Sequence, residues 1–132
     1  LRKNSPTFGK HEKILLDAPC SGTGVIGRRP DIKWRLRKSD IQRMANLQKS
    51  ILKNISNYLK PGGKLVYSTC SLEKEENQDV IDHFLKCRSD FELIGTNSLL
   101  PDNWVNSRGF MFSFPTKTNT DGLFAAVLRK KI

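Results

Sequence analysis

Two short apolar runs separated by an amphipathic segment restrict the fold of this chain more than any other feature. Ile14-Leu15-Leu16 and Leu65-Val66-Tyr67 each have the length and composition of a buried strand. The segment between them, from about Asp40 to Leu59, carries apolar residues at helical spacing. A strand, a helix and a second strand in this order place the two strands parallel and side by side. The pattern therefore predicts an α/β fold.

The remaining segments extend this sheet. Strands are expected over residues 13–18, 64–68, 91–94 and 123–128. With helices between the first three strands, their order predicts a mostly parallel sheet that ends in an antiparallel pair. Residues 1–12 are polar and indicate a linker or surface loop, and residues 19–38 indicate a long loop rich in Gly, Pro and basic side chains.

Capping signals predict the limits of the helices. Ser39 followed by Gln42 has the spacing of a capping box, and Pro61-Gly62-Gly63 is expected to end the first helix. The acidic residues between Glu73 and Glu76 are expected in the first turn of a second helix, because carboxylates stabilise a helix amino terminus. The buried face of that helix is expected to carry four apolar residues, Val80, Ile81, Phe84 and Leu85.

Composition indicates one globular domain with a polyanionic partner. The 132 residues include 37% apolar side chains, enough to build a core. Lys and Arg number 23 against 13 Asp and Glu, and the resulting charge of +10 favours nucleic acid, although a membrane surface would also attract it. No apolar run approaches the ~20 residues that span a bilayer, so we expect a soluble cytoplasmic protein without a membrane segment.

The cysteine and histidine content argues against two common kinds of site. Three cysteines are an odd number, which favours reduced thiols over a disulfide framework. His11 and His83 lack ligand spacing with any cysteine, so no metal site is expected. Cys87 lies in the second predicted helix, outside any motif, and ordinary packing is expected for it.

The other two cysteines each follow a predicted strand. Cys20 stands in Asp17-Ala18-Pro19-Cys20-Ser21-Gly22-Thr23-Gly24, and Cys70 stands in Tyr67-Ser68-Thr69-Cys70-Ser71. Because ligands bind beyond the carboxyl ends of parallel strands in open α/β sheets, both thiols are expected in one catalytic site. The alternatives are two buried core residues or a redox pair, and a redox pair would lack the usual Cys-X-X-Cys spacing.

Basic side chains surround an aromatic residue in the long loop. Trp34 has six basic residues around it in the sequence, Arg28, Arg29, Lys33, Arg35, Arg37 and Lys38. The combination is suited to phosphate contacts with stacking on a nucleobase, and it predicts a nucleic-acid-binding surface. The alternative is a solvated charged loop, with Trp34 as a plug on the core beneath it.

These motifs together resemble the Sun family of RNA 5-methylcytosine methyltransferases, also called RsmB or Fmu, which use S-adenosylmethionine. The resemblance covers Lys13 to about Leu85, including Arg29 to Trp34 and Glu75-Glu76-Asn77, and it resumes at Asp121-Gly122-Leu123-Phe124. It implies a partial class I methyltransferase sheet, Rossmann-like, with about strands four to seven. Residues 1–132 are then the carboxyl-terminal half of a methyltransferase catalytic domain.

The chemistry of that family explains a need for two thiols. Carbon 5 of cytosine is a poor nucleophile, and a thiolate that adds to carbon 6 makes carbon 5 reactive toward a methyl donor. A base must then remove the carbon-5 proton as the first sulfur leaves. The resemblance implies that Cys70 attacks and Cys20 assists product release, whereas the residues alone leave this order open. It also implies that Asp17 contacts the cofactor, the alternative being an aspartate that caps a loop.

The resemblance implies methylation of cytosine carbon 5 in RNA, with ribosomal RNA as the expected substrate. The family's glycine-rich turn and acidic residue for the methyl donor precede the part of the domain present here. The chain alone is therefore expected to bind S-adenosylmethionine weakly and to be inactive without the amino-terminal part of the same protein. A half sheet also leaves the edge of the Ile14 strand unpaired. The alternative is a noncatalytic RNA-binding module with the same fold.

Overall fold

The computed structural model of the protein describes residues 10–114 and 121–132, so residues 1–9 of the predicted linker lie outside it. The strands are β1 His11–Asp17, β2 Leu59–Thr69, β3 Phe91–Ile94, β4 Met111–Ser113 and β5 Leu123–Lys130. The helices are α1 Asp31–Arg35, α2 Lys38–Ser56 and α3 Gln78–Cys87. Short 3-10 turns cover Thr23–Val25, Lys74–Glu76 and Asp102–Trp104.

The strands form one mixed sheet in the order β1-β2-β5-β3, and β4 also pairs with β5. β1 and β2 are parallel, and β5 runs antiparallel to β2, β3 and β4. The predicted α/β class with an antiparallel carboxyl-terminal strand is therefore confirmed. The sequence predicts a mostly parallel sheet that ends in an antiparallel pair. Among the strands that the structure describes, however, one of the four pairings is parallel, and β5 lies inside the sheet with partners on both sides. Within residues 10–114 and 121–132, β1 pairs with β2 alone and forms one edge.

The core lies between this sheet and the helices α2 and α3. Side chains alternate along β2, so that Leu65 and Tyr67 are fully buried while Val66 between them is half-buried. Leu52 of α2 is also fully buried in this core. The predicted apolar face of α3 is confirmed, with three buried residues and one half-buried residue, Val80, Ile81, Phe84 and Leu85. Each such side chain contributes about 1.5–3 kcal/mol when it is fully buried.

The ends of α2 differ from those predicted. The helix begins at Lys38, and the Asp40 carboxylate accepts the Arg37 backbone N–H at 3.0 Å, so the predicted Ser39–Gln42 capping box is wrong. A carboxylate is the stronger acceptor at a helix amino terminus, where it also interacts with the helix dipole. The Gln42 side chain instead donates to Asn46 one turn further along the helix.

The sequence predicts that Pro61-Gly62-Gly63 ends the helix. This prediction is wrong, because the segment lies inside β2. The helix ends at Ser56, before the glycines are reached. The β1–β2 register shifts between His11 and Lys13, where the longer segment of β2 bulges. Gly62 has a φ of 81°, a value that glycine adopts without steric cost.

The long loop after β1 contains more structure than its composition suggests. It holds the 3-10 turn Thr23–Val25 and the short helix α1. Trp34 of α1 is 82% exposed, so the alternative in which it plugs the core is wrong. Cys87, at the end of α3, is exposed with its Sγ 3.7 Å from His83 Nε2, so the expectation of ordinary packing is also wrong. None of the helices within the described ranges is long and apolar enough to cross a membrane.

Candidate active site

The parallel pairing of β1 with β2 brings two thiols together at the carboxyl ends of these strands. Asp17 pairs with Ser68, so both strands end at the same level. Cys20 follows β1 by three positions, and Cys70 directly follows β2. Their Sγ atoms lie 2.9 Å apart, within hydrogen-bonding distance for sulfur. Both cysteines are free and half-buried, so neither is a fully buried core residue.

Burial and the adjacent thiol favour the neutral form of Cys20. Burial, followed by the hydrogen bond with the Cys70 side chain, raises the pKa of Cys20 to about 12. At neutral pH the Cys20 thiol is therefore protonated. The site thus holds one thiol that keeps its proton next to a second thiol at contact distance.

Three chain segments meet in backbone contact behind the thiols. The Gly24 N–H donates to the Cys70 carbonyl at 2.8 Å, and the Gly122 N–H donates to the Gly24 carbonyl at 2.7 Å. A Cβ atom added to Gly24 would lie 2.0 Å from the Gly122 carbonyl oxygen. Only glycine fits at this approach, which explains the glycines in the motifs around Cys20 and Leu123.

A buried carboxylate lies beneath both cysteine loops. Glu76 is fully buried, and its carboxylate accepts hydrogen bonds from the Ser21 N–H at 2.7 Å and the Ser21 hydroxyl at 2.6 Å. It also accepts from the Ser71 hydroxyl and from Gln48 Nε2, the latter at 3.1 Å. The expectation that Glu76 lies in the first turn of the second helix is wrong, because Lys74–Glu76 form a separate turn before α3.

Sequence reasoning did not assign a role to this carboxylate. An acidic residue near a helix start is usually exposed and interacts with the helix dipole. The only signal was its place in Glu75-Glu76-Asn77, close behind Cys70. Its Asn77 neighbour is also buried, which a solvated helix start would not require. Two adjacent polar residues buried together indicate a hydrogen-bonded network.

Further hydrogen bonds fix the turn that carries Glu76. The Tyr67 hydroxyl donates to the Glu76 carbonyl at 2.7 Å, and burial, followed by the Glu76 charge, raises the pKa of Tyr67. The Thr69 hydroxyl donates to Asn77 Oδ1 at 2.6 Å, and Asn77 Nδ2 donates to the Ser71 carbonyl at 2.9 Å. Core strand β2 and the turn after it are therefore joined on both sides of Cys70.

Asp17 lies exposed at the carboxyl end of β1. Its Oδ1 accepts a hydrogen bond from the Ser68 hydroxyl at 3.3 Å. Its neighbours Leu16 and Ala18 are buried, so Asp17 occupies the alternate face of the strand. The carboxylate keeps lone pairs that can accept hydrogen bonds from a ligand.

The predicted basic residues lie on an exposed surface beside the thiols, on and before α1. Arg28 pairs with Asp121 at 2.8 Å, and Arg35 and Arg29 approach Asp31 at 2.6 and 3.5 Å. The ammonium group of Lys33 lies 5.6 Å from the centre of the exposed Trp34 ring. Lys33 and the Trp34 ring are thus both accessible to a large ligand.

A cavity of about 240 Å³ connects Cys20 with this surface. Its lining combines apolar and charged groups, and includes Cys20, Ser21, Ile32, Arg35, Leu36 and Met44. Ligand sites commonly combine an apolar lining with a few oriented polar groups. Within the part of the chain that the structure describes, no group of three or more His, Cys, Asp or Glu is placed to hold a metal ion.

Comparison with known proteins identifies the family. The family model for the 16S rRNA methyltransferase RsmB/F matches residues 1–129. The chain is 49% identical over 120 residues to ribosomal RNA small subunit methyltransferase B of Cronobacter sakazakii, covering 91% of the chain and 26% of that relative. It is 41% identical over 136 residues to the probable ribosomal RNA small subunit methyltransferase B of Bacillus subtilis, covering 98% and 30%.

Solved structures share the fold at similar identity. The crystal structure of PH0851 superposes with a TM-score of 0.82 at 40% identity, covering 90% of this chain and 26% of that one. The crystal structure of NSun6 from Pyrococcus horikoshii with SFG superposes with a TM-score of 0.79 at 32% identity, covering 92% and 30%. The chain spans about a quarter of the length of the curated relatives it matches. With both cysteine motifs in place and 129 residues matched, the chain belongs to the RsmB/F family of 16S rRNA methyltransferases.

Proposed function

We propose that this chain is the carboxyl-terminal half of the catalytic domain of an RNA cytosine-5 methyltransferase that acts on ribosomal RNA. The 2.9 Å separation of the Cys20 and Cys70 sulfur atoms carries this proposal. At this separation a single cytosine ring is large enough to contact both thiols. The names of the relatives, which are ribosomal RNA methyltransferases, support RNA as the substrate.

In this proposal Cys70 attacks the base and Cys20 assists release. Once the Cys70 thiol has released its proton to solvent, a bond forms between the thiolate sulfur and carbon 6, and the electrons of the 5,6 double bond move to carbon 5. S-adenosylmethionine, when bound, supplies the methyl group to carbon 5. Removal of the carbon-5 proton by a base then re-forms the double bond as the bond between carbon 6 and Cys70 breaks.

The protonation of Cys20 supports this division of roles. Its pKa is raised by burial and then by the hydrogen bond with the Cys70 side chain, so the nucleophilic thiolate form of Cys20 is disfavoured before substrate binds. When Cys70 is bonded to carbon 6, that hydrogen bond and the charge of Cys70 no longer act on Cys20. Cys20 then gives up its own proton to solvent more easily, and its thiolate can accept the carbon-5 proton.

The surface beside Cys20 is proposed to bind the RNA. The exposed Trp34 ring offers a face for stacking, and Arg28, Arg29, Lys33 and Arg35 offer phosphate contacts. The cavity of about 240 Å³ between this surface and Cys20 has room for a base turned out of the RNA strand.

S-adenosylmethionine is the proposed cofactor, and Asp17 is the residue of this chain proposed to contact it. An exposed carboxylate at a strand end can accept hydrogen bonds from the donor groups of such a cofactor. A relative solved with SFG, an analogue of S-adenosylmethionine, supports its use in the family. The Asp17 carboxylate alone is a small part of a cofactor site. We therefore expect calorimetry on residues 1–132 alone to show weak binding of the cofactor, and we expect this chain alone to be inactive.

The test is methylation of small-subunit ribosomal RNA by the full-length enzyme. Cys70→Ala is expected to abolish methylation, whereas Cys87→Ala, which removes the exposed thiol, leaves it unchanged. Turnover by Cys70→Ala would contradict the proposal. RNA binding without any methylation by the unmodified enzyme would instead favour the noncatalytic RNA-binding module.

A further inference from the structure

Each of the two paired cysteines is followed by a serine, and both serines bind one carboxylate. Ser21 follows Cys20, and its hydroxyl lies 2.6 Å from Glu76 Oε2. Ser71 follows Cys70, and its hydroxyl donates to the same oxygen atom. The Ser21 backbone N–H also donates to Oε1 at 2.7 Å. One side chain therefore ties the loop after β1 to the loop after β2, one residue beyond each thiol.

We propose that Glu76 is a positioning residue that holds the Cys20 and Cys70 thiols at contact distance. Its consequence for catalysis rests on the proposed function, whereas its effect on the geometry of the thiols does not. Glu76 acts through Ser21 and Ser71, each of which directly follows one of the two cysteines.

The hydrogen-bond pattern requires a carboxylate. Its oxygens accept from four neutral donors, namely two serine hydroxyls, one backbone N–H and the Gln48 amide. A glutamine of the same length would place an N–H₂ group against at least one of these donors. The Ser71 hydroxyl oxygen already accepts the Glu73 N–H at 2.9 Å, which limits its freedom to reverse its role. Glu76→Gln is therefore expected to displace one of the two cysteine loops.

Glu76 is itself held by two buried side chains. Tyr67 of β2 donates to the Glu76 carbonyl at 2.7 Å. Gln48 of α2 binds both the Glu76 carboxylate and, at 2.8 Å, the Pro19 carbonyl. Because these partners belong to the core, the carboxylate transmits a fixed position to both loops. Rigid support of this kind sets the geometry of reactive groups.

The experiment measures the thiol pair directly in the full-length protein. Phenylarsine oxide, a trivalent arsenical, condenses with two adjacent thiols to form two As–S bonds and one water molecule. Its affinity for the Cys20–Cys70 pair reports their separation, with the exposed Cys87 as an internal control for single-thiol reactivity. We expect Glu76→Gln to weaken this affinity by about tenfold or more, and Ser21→Ala to weaken it by a smaller factor.

The matched control is Glu75→Gln, which makes the same charge change at the exposed neighbouring residue and is expected to leave the affinity unchanged. Ser21→Ala removes one contact and keeps the carboxylate, so it tests the proposal even if Glu76→Gln fails to fold. Unchanged affinity in folded Glu76→Gln, or in Ser21→Ala if Glu76→Gln fails to fold, would overturn the proposal. So would failure of the unmodified protein to capture the arsenical.

Kinetics on RNA separate positioning from a general structural role. Misplacement of reacting groups by about 1 Å can lower a rate about 100-fold, so Glu76→Gln is expected to lower kcat by that order with KM for RNA nearly unchanged. A uniform loss of active protein would be visible as a reduced fraction of sites that capture the arsenical. Loss of arsenical affinity in an enzyme that never methylates RNA would retain the positioning role and reject the proposed function.

Discussion

Cys20 Sγ and Cys70 Sγ lie 2.9 Å apart, although 50 positions separate the two residues in the chain. The parallel register of β1 with β2 accounts for this proximity, since Asp17 pairs with Ser68 and both strands end at one level. Hydrogen bonds from Ser21 and Ser71 to Glu76 then join the two loops. Four further predictions follow from this arrangement.

The first concerns the reactivity of Cys20 as a function of pH. Burial, and then the hydrogen bond with Cys70, raise the pKa of Cys20 to about 12, which disfavours the thiolate. Because the thiolate is the nucleophile, the rate of iodoacetamide labelling at Cys20 should still be rising at about pH 10. Mass spectrometry of the labelled peptide measures this rate, with circular dichroism to confirm that the protein is folded. A rate that levels off below about pH 9 would contradict the assigned environment.

The second concerns the close backbone approach at Gly24. A Cβ atom there would lie 2.0 Å from the Gly122 carbonyl oxygen and 2.7 Å from that of Cys70. Gly24→Ala is therefore expected to lower the free energy of unfolding by about 3 kcal/mol. The control is Gly27→Ala in the same loop, where an added Cβ has no atom within 4 Å. Chemical denaturation of the two variants should separate them, and equal stability would exclude the predicted clash.

The third concerns stacking on Trp34. Its ring is 82% exposed, so Trp34→Ala should leave the melting temperature unchanged. Loss of one stacked base should weaken binding of single-stranded RNA by about 1–3 kcal/mol, and Trp34→Phe should restore part of it. Leu99→Ala removes another exposed apolar side chain, 76% accessible, and serves as the control in the same fluorescence titration. If Trp34→Ala and the unmodified protein bind the RNA with equal affinity, Trp34 is not part of the RNA-binding surface.

Much of the site could be predicted from sequence because strand ends are strong signals. Buried apolar runs located β1 and β2, and parallel pairing then brought Cys20 and Cys70 to one edge. The α/β class followed from the same pattern. These features depend on hydrophobic periodicity and chain order, which are local properties of the sequence.

The features that the sequence did not predict depend on which of several possible hydrogen-bond partners a residue binds in the folded chain. Ser39 and Asp40 both suit a helix start, and the structure uses the Asp40 carboxylate. The sequence position of Glu76 is typical of an acidic residue that stabilises a helix dipole. In the structure its carboxylate is buried and accepts hydrogen bonds from four donors that belong to separate segments. The sequence left the exposure of Trp34 open between a stacking surface and a core plug, because it depends on how α1 lies against the rest of the chain. Tertiary contacts of this kind override local preference.

The fourth prediction tests whether the two thiols divide attack and release. In the full-length enzyme, Cys20→Ala should form a covalent RNA adduct that persists on denaturing gels, because attack by Cys70 proceeds and release is slow. Mass spectrometry should locate the RNA on the peptide that contains Cys70, and the adduct should vanish when Cys70→Ala is added to Cys20→Ala. An adduct formed through Cys20 in the Cys70→Ala enzyme, or no adduct in the Cys20→Ala enzyme, would contradict the assigned roles.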